Sequence, residues 1–166
     1  MAFHQPATTG SKTGNTVSLD ELDVQILMCL QADSRQSNLE IARQVDASES
    51  TVRRRIDRLI DAGVIEMAAI LDPTKVGYQL EVLLLLIVDK DKVDSIANQL
   101  AAFPQVNYVC VMTGEFDILA QAWFRSNARF LDFIRDGIGA IEGIRESRSS
   151  IVLHAAKRTN YWVPLG

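Results

Sequence analysis

Hydrophobic side chains first fall into step at Leu19, Leu22, Ile26 and Leu30, whose three- and four-residue intervals predict an amphipathic helix running to about Gln31. Ser18 with Glu21 reads as the capping box that starts it, and Val17 with Leu22 stands at hydrophobic-staple spacing. After the polar turn ADSRQ, a second box, Ser37 with Glu40, opens a short helix through Leu39, Ile41, Ala42 and Val45. Asp46 and Ala47 then make a tight turn, with Asp46 suited to left-handed backbone. Ser48 caps a third helix, whose buried face is Val52, Ile56, Leu59 and, more peripherally, Ile60. Three residues after Ser48 comes Thr51, not a carboxylate, so Ser50 and Thr51 are expected to stay free and the helix end to stay open to an outside anion. Gly63 is placed as the stop.

The periodicity then changes. VIEMAAILDP reads as an extended linker closed by Asp72 and Pro73. Beyond it the pattern predicts a strand over 81–88, a helix over 92–103, strands over 106–112 and 116–124, a helix over 128–137 and a strand over 145–154. That is the βαββαβ order of ferredoxin-like domains. Val93, Ile96, Ala97 and Leu100 mark the packed face of the first of these helices; Phe130, Leu131, Phe133, Ile134 and Ile138 mark that of the second. Both should cover one side of an antiparallel sheet. The other side, assigned Leu84, Leu86, Val109 and Val111, is expected to be covered by a second subunit.

A short helix, a tight turn and a longer helix rich in Ser and Arg is the helix-turn-helix arrangement, whose second helix enters the DNA major groove. On the helical wheel Ser50, Arg54 and Arg58 point outward, Thr51 and Arg53 flank them, and Arg55 lies toward the core edge, where its stem packs on apolar neighbours and its head pairs with a local carboxylate. The competing reading is a solvated face of intrahelical ion pairs, Glu49 with Arg53, Arg54 with Asp57 and Arg58 with Asp61. Charge lends that reading weight: the chain has formal net charge -4, and residues 1–75 carry eight basic side chains against eleven acidic ones. DNA binding would therefore rest on a local cluster presented twice.

Composition narrows the rest. With 166 residues, 48% of them hydrophobic, the chain can fill one core or two small ones. The longest apolar run, VLLLLIV at 82–88, is far short of a membrane helix, so a cytoplasmic protein is expected, without membrane contact. Cys29 and Cys110 read as buried reduced thiols. No metal-spaced cluster or phosphate loop appears; His4 lies in a polar tail and His154 reads as a structural histidine, so neither catalytic residues nor a cofactor are expected. Gly137 and Gly139 read as a helix terminus. The boundaries are a flexible tail 1–17, a helix-turn-helix domain 18–65, a linker strand 66–79, a ferredoxin-like ligand-binding and oligomerisation domain 80–155, and a C-terminal tail 156–166, in which Tyr161 and Trp162 are expected to pack on a neighbouring subunit.

Four segments in order, LDELDVQILMCLQADSR, IARQVDASESTVRRRIDRLIDAGVI, LDPTKVG and MTGEFDILA, resemble the Lrp/AsnC, or feast/famine, family of transcriptional regulators. The chain departs from the family pattern at Asp46, where glycine is more typical, and at Ala47, where a larger apolar residue is common. The resemblance implies an α+β protein: a three-helix winged helix-turn-helix domain followed by a RAM-type βαββαβ effector domain, assembled as a dimer and further as an octamer on near-palindromic double-stranded DNA. Carried over by position, Ser48, Ser50, Thr51, Arg53 and Arg54, with Arg58, form the DNA-binding set. The effector, a free amino acid, is assigned to Met112, Thr113, Gly114 and Asp117, with Ser147 and Ser149 contributed from a neighbour. By residue chemistry alone, Gly114 amides suit a carboxylate and Asp117 an ammonium group, but Gly114 equally serves only a turn that Asp117 ends. The alternative to a ligand-responsive regulator is an architectural protein that wraps DNA without small-molecule control.

Overall fold

The computed structural model describes residues 17–158; the expected N-terminal tail and the packing of Tyr161 and Trp162 lie outside them. The described chain divides between Ala69 and Ile70 into two compact units.

The first unit holds α1 (Glu21–Ala32), α2 (Asn38–Gln44) and α3 (Glu49–Asp61). Ile26, Leu30, Ile41, Ala42, Val52 and Ile56 form its core, with Leu22, Val45 and Ile65 packed against it. Leu39 and Ile60, expected on the packed faces, are 44% and 42% exposed. The helix start differs from the expected one. Asp20, not Ser18, is the N-cap of α1: its carboxylate accepts from Asp23 N at 2.9 Å, and the Asp23 carboxylate accepts from Asp20 N at 3.1 Å. The turn before α3 places Asp46 at φ 50, in the left-handed region. Gly63, at φ 67, ends α3 in a Schellman pair, with Gly63 N donating to Ile60 O at 2.9 Å and Val64 N to Leu59 O at 2.9 Å.

Residues 64–72 form no strand, contrary to the linker strand expected over 66–79; a strand needs a partner, and the single chain supplies none. A 3₁₀ turn, Pro73–Val76, follows instead, capped by Asp72 and closed by Gly77 at φ 90.

The second unit has β1 (Leu80–Val88), α4 (Val93–Ala101), β2 (Val106–Val111), β3 (Ile118–Phe124), α5 (Asn127–Asp132) and β4 (Ile144–Ile151). The four antiparallel strands lie in the order β2-β3-β1-β4. This is the ferredoxin-like topology. Val82, Leu84, Leu86 and Val88 pack with Ile96, Leu100, Phe133 and Ile138 beneath the helices.

The uncovered face is not the expected one. Leu84 and Leu86 are fully buried, Val109 packs against the same core, and Val111 is 53% exposed beyond the helices' reach. By register the open face carries Leu83, Leu85 and Ile87 of β1, Leu119 of β3, and Tyr108 and Cys110 of β2. The run VLLLLIV is apolar on both faces, so alternation gives no hint of which side turns inward. Leu131, expected inside, is 61% exposed, and His154 is exposed past the end of β4. Cys29 and Cys110 are free thiols, half-buried and not fully buried as expected.

Candidate functional site

The arginines of α3 divide by their partners. Arg55 Nη1 donates to Asp23 Oδ1 at 3.1 Å and also to Asp20 Oδ2, while Arg58 Nη2 donates to Asp23 Oδ2. Asp23 itself is fully buried. Its carboxylate thus serves the α1 cap and both guanidinium groups at once, which is how a buried charge avoids the full cost of desolvation. The Asp23 amide and then Arg55 hold the Asp20 carboxyl below its ordinary range, and Asp20 in turn raises Arg55. The local partners expected for these arginines lose to acids 32 and 35 residues away. Sequence reasoning passes over Asp23. The signal it carries is its spacing: it precedes Ile26, Leu27 and Leu30 on the same helical stripe, so an acid stands where an apolar side chain belongs.

Arg53 lies 4.0 Å from Asp57 with both side chains mostly exposed, a weak surface pair, whereas the charged-face reading pairs it with Glu49. Arg54 is exposed and has no carboxylate partner among the described residues; its expected pair with Asp57 does not form. At the N-terminal end, Ser48 Oγ accepts from Thr51 N at 3.1 Å and lies 3.0 Å from Ser50 Oγ and 2.8 Å from Thr51 Oγ1. The hydroxyls expected to be free are therefore linked to one another. They remain on the exposed side of the helix, and any anion there would meet an ordered hydroxyl cluster.

In the second unit the β2–β3 hairpin brings Met112, Thr113, Gly114 and Asp117 together. Gly114 sits at φ 119 with open space about it, so glycine is needed there for its backbone alone. Met112 N donates to Asp117 O and Asp117 N to Leu86 O, both at 2.9 Å, which pins the hairpin to the sheet. The amides of residues 113–116 donate no hydrogen bond among the described residues. The Asp117 side chain is already engaged: Val88 N donates to Oδ2 at 3.0 Å and Lys90 Nζ to Oδ1. Ser147 and Ser149 face away from this cluster along edge strand β4, at the register positions of Leu86 and Leu84, two strands from β3. One chain does not unite the six residues.

Lys90 first, then the Val88 amide, hold the Asp117 carboxyl below the usual carboxylate range. The unfolded chain then binds more protons than the folded one at acid pH, so this stabilisation is complete above about pH 5 and lost as pH falls through the depressed value. The gap in urea midpoint between wild type and Asp117→Asn is expected to be constant from pH 7 to about 5 and to narrow below about 4. A gap that widens on acidification would contradict the assignment.

Among the described residues no group of His, Cys, Asp and Glu could hold a metal ion, and no helix is long and apolar enough to cross a membrane.

A helix-turn-helix unit with an unpaired arginine on its second helix, joined to a ferredoxin-like unit with an amide-lined hairpin, defines a DNA-binding regulator with a ligand-binding domain. Comparison with known proteins agrees: residues 19–66 match the winged helix-turn-helix DNA-binding family and residues 81–162 the Lrp/AsnC ligand binding domain. The Pyrococcus horikoshii HTH-type transcriptional regulator PH0140 is 37% identical over 142 residues, 85% of this chain and 90% of that one. The crystal structure of a Neisseria meningitidis transcriptional regulator in complex with L-Met is similar with TM-score 0.80 and 33% identity, covering 86% of this chain and 95% of that one. Escherichia coli AsnC shares the fold, with TM-score 0.82 at 24% identity over 87% and 99% of the two chains. The chain belongs to the Lrp/AsnC family, a family of DNA-binding transcriptional regulators and not of enzymes.

Proposed function

We propose that this chain is a cytoplasmic regulator that binds a near-palindromic operator as a dimer and responds to a free amino acid at the 112–117 hairpin. One observation carries the DNA reading: Arg54 is left uncommitted on the exposed side of α3 while Arg55 and Arg58 are tied back to Asp23. Ser48, Ser50, Thr51, Arg53 and Arg54 form the contact set, and Arg58, 45% exposed beyond its bond to Asp23, reaches a phosphate with its remaining donors. The dimer reading rests on apolar surface that a single chain leaves uncovered: the open sheet face, and linker residues Met67, Ile70 and Leu71, which are 51%, 73% and 67% exposed. Two copies would set their recognition helices about 34 Å apart, one turn of DNA.

The unpaired amides of residues 113–116 suit the effector's carboxylate. Asp117, being held by Lys90, accepts an ammonium group only by sharing or releasing that lysine. Ser147 and Ser149 complete the site from a second copy, so ligand binding and assembly are linked, and an octamer of four dimers is the assembly proposed. The L-Met complex of the Neisseria relative supports the amino-acid class.

Calorimetry with the common amino acids, L-methionine first, is expected to reveal one that binds, with Asp117→Ala weakening it about tenfold or more. Sedimentation at saturating ligand should show a changed oligomer distribution, and footprinting a discrete operator whose occupancy responds to the same ligand. An extended footprint indifferent to every amino acid would instead favour architectural wrapping.

A further inference from the structure

A cleft of about 500 Å³ opens in the second unit at the end of β3 remote from the 112–117 hairpin. At about 3.4 Å per residue, the length of β3 separates the two places by about 20 Å. The cleft owes its shape to a local departure from the α-helix. Beyond Asp132 the chain widens into a π-helical turn, Phe133–Gly137, with Ile138 N donating to Phe133 O. Such turns are rare and concentrate at functional sites.

The turn sets Phe133 edge-on to Phe103, with ring centroids 5.1 Å apart, and 5.2 Å from Phe124. A Cβ on Gly137 would lie 2.9 Å from the Phe133 ring, so glycine is what admits this arrangement. The three rings give the cleft an aromatic wall; Trp123 borders it through its backbone, its ring lying on the opposite sheet face under Arg158.

Its charged rim is unbalanced. Asp132 and Asp136 are both held by Arg135, at 3.1 and 3.0 Å. Arg125 donates to Val76 O at 3.0 Å and lies over the Tyr78 ring. Arg129 also lines the cleft, and it has no side-chain partner among the described residues. An aromatic wall beside one uncommitted guanidinium favours a flat ring that carries an anion, and the guanidinium fork matches a carboxylate in particular. The volume is that of an ordinary small-molecule site.

We propose that this cleft is a second small-molecule site, distinct from the hairpin, which takes an aromatic carboxylate with its ring against Phe103, Phe124 and Phe133 and its carboxylate on Arg129. The proposal stands whether or not the hairpin binds an amino acid.

The test is a titration of 3-phenylpropionate into the full chain, read by the backbone amide shifts of Arg129 and Gly137. Saturable changes at these positions are expected. The alcohol 3-phenylpropan-1-ol and the amine 2-phenylethylamine should bind at least tenfold more weakly, and Arg129→Gln should weaken the acid tenfold or more while Arg129→Lys restores part of the loss. Absence of a saturable response at both reporters would overturn the proposal. So would equal binding of acid and alcohol, or an Arg129→Gln protein of unchanged fold that binds the acid as the wild type does.

Discussion

Replacing Arg54 by alanine is expected to weaken operator binding and flatten its dependence on salt, with the urea midpoint of the protein unchanged. Phosphate neutralisation releases counterions, so each phosphate that the protein no longer neutralises lowers the slope of log K against log salt by about 0.9. A dimer presents two copies of Arg54, which doubles the change where both are engaged. If the guanidinium reads a base edge instead, affinity falls by about 1–3 kcal/mol per arginine and discrimination at one base pair relaxes. The fold has little at stake, because Arg54 is exposed and no carboxylate in the described chain depends on it. Electrophoretic mobility shifts at several salt concentrations, beside a denaturation curve, separate the outcomes. Wild-type affinity and slope in the mutant would remove Arg54 from the interface and with it the main support for the proposed contact set.

The sequence shows those features whose causes are local. Asp46 in the left-handed region, Gly63 as the stop of α3, the Ser37 and Ser48 caps and the order βαββαβ each follow from a few neighbouring residues, and each stands in the structure. Features decided at a distance are hidden. Ser18–Glu21 and Asp20–Asp23 both satisfy the spacing of a capping box, and the second prevails where Asp23 also meets Arg55 and Arg58. Of the ion pairs expected within α3, that of Arg58 with Asp61 yields to the same buried acid. A strand apolar on both sides conceals its inward face until α4 and α5 cover one of them. The π turn goes with ring packing between Phe103 and Phe133, 30 positions apart in the chain, a contact no local pattern encodes. At the candidate sites the same division holds: the hairpin glycine is legible, whereas the capture of Asp117 by Lys90 and of Arg58 by Asp23 is not.

Asp23→Ala should cost the first unit far more stability than any arginine substitution on the exposed side of α3. Asp23 is fully buried and is the acceptor for Asp20 N, Arg55 and Arg58. Its removal takes an acceptor from the amide at the helix start, from Arg58 and from Arg55, which keeps Asp20; breaking a fully buried pair costs about 3–5 kcal/mol, and with Arg58 45% exposed the loss here should be smaller, about 2–3 kcal/mol. Asp23→Asn keeps an acceptor for the amide but not the charge, so it should fall between alanine and wild type. The second unit supplies an internal control: helical circular dichroism reports the first unit strongly, whereas Trp123 fluorescence reports the sheet. The expected result is an early helical transition with the Trp123 transition unmoved, and DNA binding abolished with the first of these, because α3 is then no longer braced against α1. A helical midpoint no lower than that of Arg54→Ala would show that the arginines are tied back by something other than Asp23, and the separation of structural from DNA-facing arginines would have to be redrawn.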